Sequence, residues 1–162
     1  MEGNKRQNAI IALLSEYKKA IIELQHVIED IEAPELTIVI DHLTDNPDCK
    51  SIQTILAHVV SSGYSYAVYI QSLKNGTAKR PLKMFRLSAD EYKKDLDNVL
   101  TFTNDLFSSI YDHEIEEFDN EKKIKTSWGQ FYDIEQIMEH AIVHILRHRL
   151  QIEKFRTKFK SP

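Results

Sequence analysis

Apolar residues recur at three- and four-residue steps over four long stretches of this chain, and that period is the mark of amphipathic helices. From about Gln7 to Ile31 the stripe is Ile10, Leu13, Leu14, Tyr17, Ala20, Ile21, Leu24, Val27, Ile28 and Ile31, with Asn4 and Gln7 to cap its start and Pro34 to end it. A second stripe from Ser51 to Leu73 comprises Ile52, Ile55, Leu56, Val59, Tyr66, Ile70 and Leu73, and Asn75-Gly76 supplies a left-handed stop. Ser88 and Glu91 form a capping box for a third helix through Leu96, Val99, Phe102, Leu106 and Ile110. After an acidic loop from Tyr111 to Lys125, Ser127 and Gln130 repeat the box. They open a last helix to about Phe159, with Phe131, Ile134, Ile137, Ala141, Ile145, Ile152, Phe155 and Phe159 on its apolar face.

With only 4 Gly and 4 Pro in 162 residues, the chain lacks the turn residues of a many-stranded sheet. The expected fold is therefore all-α: one four-helix-bundle domain over residues 1–162, with a long connection from Ala33 to Lys50 between helices one and two. Leu36 to Leu43 within that connection is apolar and partly β-branched. It reads as an ordered crossover, with a short strand as the alternative.

Composition narrows the function classes. At 42% hydrophobic and 28% charged residues the chain has enough apolar side chains for a packed core. The formal charge of −4 gives no global attraction to nucleic acid, and Lys154, Arg156, Lys158 and Lys160 read as cations favourably placed at a helix C-terminus. The single cysteine, Cys49, excludes an internal disulfide and reads as a surface thiol in a reducing compartment. No start-proximal apolar block or membrane-length run occurs, so a cytoplasmic protein without a membrane partner is expected.

The histidines carry the chemistry. His140, His144 and His148 follow one another at i, i+4 steps, each a rotation of only about 40°. His144 and His148 fall on the apolar stripe with Ile137, Ala141 and Phe155, and His58 sits beside Ile55 and Val59 on the second helix. An unpartnered buried imidazole costs a few kcal/mol where leucine would not. Two readings follow: hydrogen-bonded core histidines, or three ligands of one divalent metal ion. Other sets lack ligand geometry. Glu23-x-x-His26 lies off its stripe, His140-Ala-Ile-Val-His144 has no metalloprotease glutamate, and His42 and His113 lie in loops.

Three matches make the chain resemble the DinB/YfiT-like family of small metal-dependent enzymes. They are the helix-two histidine in Ser51-Ile-Gln-Thr-Ile-Leu-Ala-His58, Trp128-Gly129, and the block His144-Ile-Leu-Arg-His148-Arg149-Leu-Gln151-Ile152. The resemblance spans nearly the whole chain and implies a four-helix bundle whose metal trio falls on His58, His144 and His148. It also implies zinc or nickel as the metal, with His140 as a supporting partner. Leu150 departs from the family, where glycine is common, and is expected to tighten helix packing beside the site. Some relatives are transferases or isomerases that use low-molecular-weight thiols.

The function expected is thus a metal-dependent transferase or isomerase that activates a small thiol or water, acting on a small-molecule substrate, with catalytic residues unassigned. Arg149 and Gln151 are expected in supporting or structural places, and Tyr64, Tyr66 and Trp128 in core packing first, with pocket lining as the alternative. The alternative is a non-catalytic, metal-stabilised bundle acting as a dimeric binding or stress-response protein, with Phe155 and Phe159 as the homodimer surface.

Overall fold

The first stripe forms α1, Asn8–Ile28, which buries Ile10, Tyr17, Ala20, Ile21, Leu24 and Ile28 along one face. In this computed structural model, which describes residues 8–77 and 79–160, the exposed amides of its first turn are satisfied from afar. The Asp112 carboxylate accepts from the N–H groups of Ala9 and Ile10, both at 3.1 Å. The proposed Asn4–Gln7 cap lies outside the described residues.

Pro34 does more than follow α1. It occupies the first turn of a five-residue helix, α2 (Ala33–Thr37), where a missing N–H costs nothing. The crossover beyond it packs only through selected residues. Leu36 is fully buried and Ile40 lies against the core, whereas Ile38, Val39 and Leu43 face solvent. No strand forms there. The N–H groups of Ile40 and Asp41 both donate to the Lys50 carbonyl, at 2.9 and 3.2 Å, closing a loop that ends in a single 3-10 turn, Pro47–Cys49.

Ser51 caps α3 (Ile52–Ser72) through a reciprocal pair: the Thr54 N–H donates to Ser51 Oγ at 3.1 Å and the Ser51 N–H to Thr54 Oγ1 at 3.0 Å. Beyond it Asn75, rather than Gly76, takes the left-handed conformation at φ 55°. Helix α4 (Ala89–Phe107) is capped by Ser88 as expected, but the Glu91 carboxylate accepts from the Leu87 N–H and the Ser88 hydroxyl, each at 3.1 Å.

The last helix begins later than its sequence pattern suggests. Ser127 and Gln130 belong to the turn of a small hairpin, β1 (Ile124–Lys125) and β2 (Phe131–Tyr132), paired antiparallel with Ile124 opposite Tyr132. Gly129 supplies the left-handed residue of that turn at φ +88°, and Thr126 exchanges backbone and hydroxyl hydrogen bonds with Gln130. Helix α5 (Ile134–Phe159) is instead capped by Asp133. Its carboxylate accepts from the Gln136 N–H at 2.8 Å, and Gln136 Oε1 accepts from the Asp133 N–H at 2.9 Å. Phe131, expected on the helical stripe, is therefore an exposed strand residue.

Among the described residues the fold is thus all-α apart from this hairpin. Helices α1 and α3 each pack against both α4 and α5, around a common core that includes Ile21, Leu24, Ile55, Leu56, Leu96, Ile137 and Ile152. Arg149 pairs with Glu23, and Arg156 pairs with Asp30 and donates to the Val27 carbonyl, tying α5 to α1. Phe155 is buried and Phe159 is partly buried against the core. No helix among the described residues is long and apolar enough to cross a membrane.

Candidate metal centre

Packing of α3 against α5 brings three imidazoles together inside the fold. His58 rises from α3 between the buried Ile55 and Val59, while His144 and His148 stand one turn apart on the inward face of α5, each only 5% exposed. Their ring centroids are 4.9, 5.1 and 4.5 Å apart, and His58 Nε2 lies 3.0 Å from His144 Nε2. One nitrogen from each ring lies within 4.8 Å of the others. All three residues named from the sequence are thereby brought to one place.

Two of the outer nitrogens have neighbours the sequence did not reveal. His58 Nδ1 lies 3.3 Å from Asp48 Oδ2, and Asp48 is itself paired with Lys83. His148 Nδ1 lies 2.9 Å from Gln151 Oε1. Gln151 Oε1 is an acceptor, so Nδ1 carries the proton in the His148 ring and Nε2 keeps its lone pair, while the Asp48 carboxylate stands beside His58 Nδ1 as a neighbouring negative charge. Burial is the largest cause holding all three imidazoles toward the neutral form, and it pushes His144 down to about 2. Neutral rings whose nitrogens converge on one point are what a divalent ion requires of histidine ligands. The donor set therefore fits a metal. No fourth His, Cys, Asp or Glu joins the group among the described residues.

Two clefts reach this trio, and His58 and Arg147 border both. One, of about 540 Å³, is walled by Asn46, Cys49, His148 and Gln151 and runs out past Leu150 and Lys154. The other, of about 360 Å³, is aromatic: Tyr66, Tyr69, Trp128 and His140 line it beside His144. His140 stacks on Trp128 with centroids 5.0 Å apart, and Tyr66 packs edge-on to both His140 and His144. Burial pushes the Tyr66 phenol up to about 12, so it stays protonated.

Several expectations are redistributed by this geometry. Tyr66 and Trp128 line a cleft, but Tyr64 packs edge-on to Phe102 at 5.2 Å and borders neither. His140 is a stacking wall of the aromatic cleft. Gln151 orients His148, whereas Arg149 points toward α1. Leu150 is 51% exposed and forms cleft wall, so it does not tighten helix packing. Cys49 is half-buried at the mouth of the polar cleft, not a free-standing surface thiol. His26 pairs with Glu29 on the surface, and His42 and His113 are exposed, the latter stacked on Tyr111. Asp48, Lys83 and Arg147 were not legible, since no periodic pattern links a connection residue or an exposed helix position to a buried trio.

No family model matches the chain, and no curated protein matches it. Its chemistry is read from these residues themselves.

Proposed function

We propose that this chain is a DinB/YfiT-like four-helix bundle that binds one divalent metal ion, zinc or nickel, through His58, His144 and His148. The ion would serve a transferase or isomerase reaction on a small molecule. The observation that carries the reading is the convergence of three neutral imidazoles from two helices, with Gln151 fixing the outer nitrogen of His148 and the Asp48 carboxylate lying beside that of His58. Imidazole donors suit zinc and nickel better than magnesium or calcium.

A divalent ion held there lowers the pKa of a thiol or water and supplies a nucleophile at neutral pH. The protein's own residues do the rest. Gln151 holds the His148 ring, Asp48 sets a negative charge beside His58, and Tyr66 and Trp128 line one side. The clefts leave room for a small substrate beside the trio. A structural metal site is closed by four protein ligands, and the absence of a fourth donor among the described residues favours a working site.

Elemental analysis of untagged, freshly purified protein tests the reading. One equivalent of zinc or nickel is expected in the wild type, and loss of it on replacing His58, His144 or His148 by Ala with helical content retained. Metal-free protein that also fails to bind either ion in titration would overturn it.

A further inference from the structure

In the larger of the two clefts the charged lining residues are cations alone. The chain carries 25 acidic against 21 basic residues, yet no Asp or Glu lines this cleft. Arg147 and Lys154 do, and both are exposed. They stand seven residues apart on α5, so they share a face within about 20° and lie two turns apart along it. His148 and Gln151 occupy the turn between them.

Neither cation is neutralised. Every other arginine among the described residues is engaged: Arg80 with Ser61 and Ser65, Arg86 with Asp95, Arg149 with Glu23 and Arg156 with Asp30. Arg147 has no hydrogen bond or ion pair among the described residues, and the Lys154 ammonium has none either. Nearby Asp48 is already shared between His58 and Lys83. Three neutral imidazoles add no negative charge, so a metal-loaded trio leaves the inner end of the cleft cationic as well.

We propose that the polar cleft is a carboxylate-recognition site: Arg147 and Lys154 hold the carboxylate of a small ligand whose other end reaches the His58–His144–His148 trio. This deepens the metal reading above and rests on it. The cleft volume of about 540 Å³ suits a small molecule, and an arginine fork can take a carboxylate in two parallel hydrogen bonds. Arg147 borders the aromatic cleft too, so it would hold the anionic end where both cavities meet. Being exposed and unpaired, Arg147 and Lys154 contribute little to folding, and their replacement leaves the packing unchanged.

The test uses cobalt-loaded full-length protein and two probes of similar size, mercaptoacetate and mercaptoethanol, followed by the cobalt–sulfur charge-transfer band. Mercaptoacetate is expected to bind the wild type about tenfold more tightly or better. That preference should fall at least tenfold in R147Q/K154Q and weaken as salt is raised. Mercaptoethanol affinity and cobalt stoichiometry should stay unchanged in the variant, and R147K should keep part of the preference. Cobalt binding with equal affinity for the two thiols would overturn the carboxylate site while leaving the metal site standing. A preference undiminished in R147Q/K154Q would also overturn it, since the carboxylate would then be binding the metal itself. Failure to bind cobalt at all would instead remove the metal reading and this inference with it.

Discussion

Single residues decide whether the trio can hold an ion, and one of the most consequential, Asp48, lies outside it. The Asp48 carboxylate lies 3.3 Å from His58 Nδ1 and puts negative charge behind a would-be ligand. Asp48→Asn keeps an acceptor but removes the charge, and such partners typically govern metal affinity by 10- to 100-fold. A drop of roughly that size, measured by competition with a chelator, is expected with circular dichroism unchanged. An unchanged affinity would reduce Asp48 to a partner of Lys83 alone. Protonation acts at the same scale. His144 is held neutral to about pH 2 by burial, whereas an unfolded histidine titrates near 6.5. Above 6.5 both states are neutral there, and below it only the unfolded chain gains the proton. The stability contribution present above 6.5 is therefore lost as pH falls, by up to about 1.4 kcal/mol per pH unit for each such histidine. Urea midpoints of the metal-free protein should decline steadily below about pH 6, and His144→Leu should flatten the slope.

Elements were legible in the sequence to the extent that their signals were periodic. The stripes of α1, α3 and α4 and the cap at Ser88 lie where the spacing put them, because core-facing burial and N-capping are local and repetitive. The start of α5 was not. Ser127-x-x-Gln130 and Asp133-x-x-Gln136 carry the same pattern, and Gly129 at positive φ, with the pairing of β1 and β2, gives the second one the helix. That difference is measurable. Asp133→Ala removes the acceptor for the Gln136 N–H and for the Glu117 N–H, so it should cost about 1–2 kcal/mol in urea denaturation. Ser127→Ala removes a hydroxyl that caps nothing and should change stability by less than about 0.5 kcal/mol. The reverse order would restore the earlier helix start. In the crossover, Asp48 reaches His58 only because Leu36 and Ile40 anchor the chain and a 3-10 turn ends it. No local pattern encodes such a contact.

At the scale of the whole molecule, the trio sets metal affinity against apo-protein stability, and one substitution separates the two. Two nearly buried imidazoles and a third half-buried one face each other in a core otherwise built of Ile, Leu and aromatic residues. Without an ion, the hydrogen bond between the His58 and His144 Nε2 atoms, 3.0 Å apart, satisfies at most one donor and one acceptor. Burial desolvates the rings themselves, a cost that an apolar side chain in the same place does not carry. His144→Leu replaces the most strongly perturbed ring by an apolar side chain of similar size, next to Ala141, Ile145 and Tyr66. Metal-free His144→Leu should therefore be at least as stable as metal-free wild type. Adding zinc should reverse the order: the wild type gains about 2.7 kcal/mol at a free concentration of one hundred times its dissociation constant, and the variant gains little. Thermal unfolding of both proteins, each with chelator and with zinc, reads all four states. A variant clearly less stable than wild type in chelator would mean that His144 is a satisfied structural histidine, and the buried trio would then need no ion to explain it.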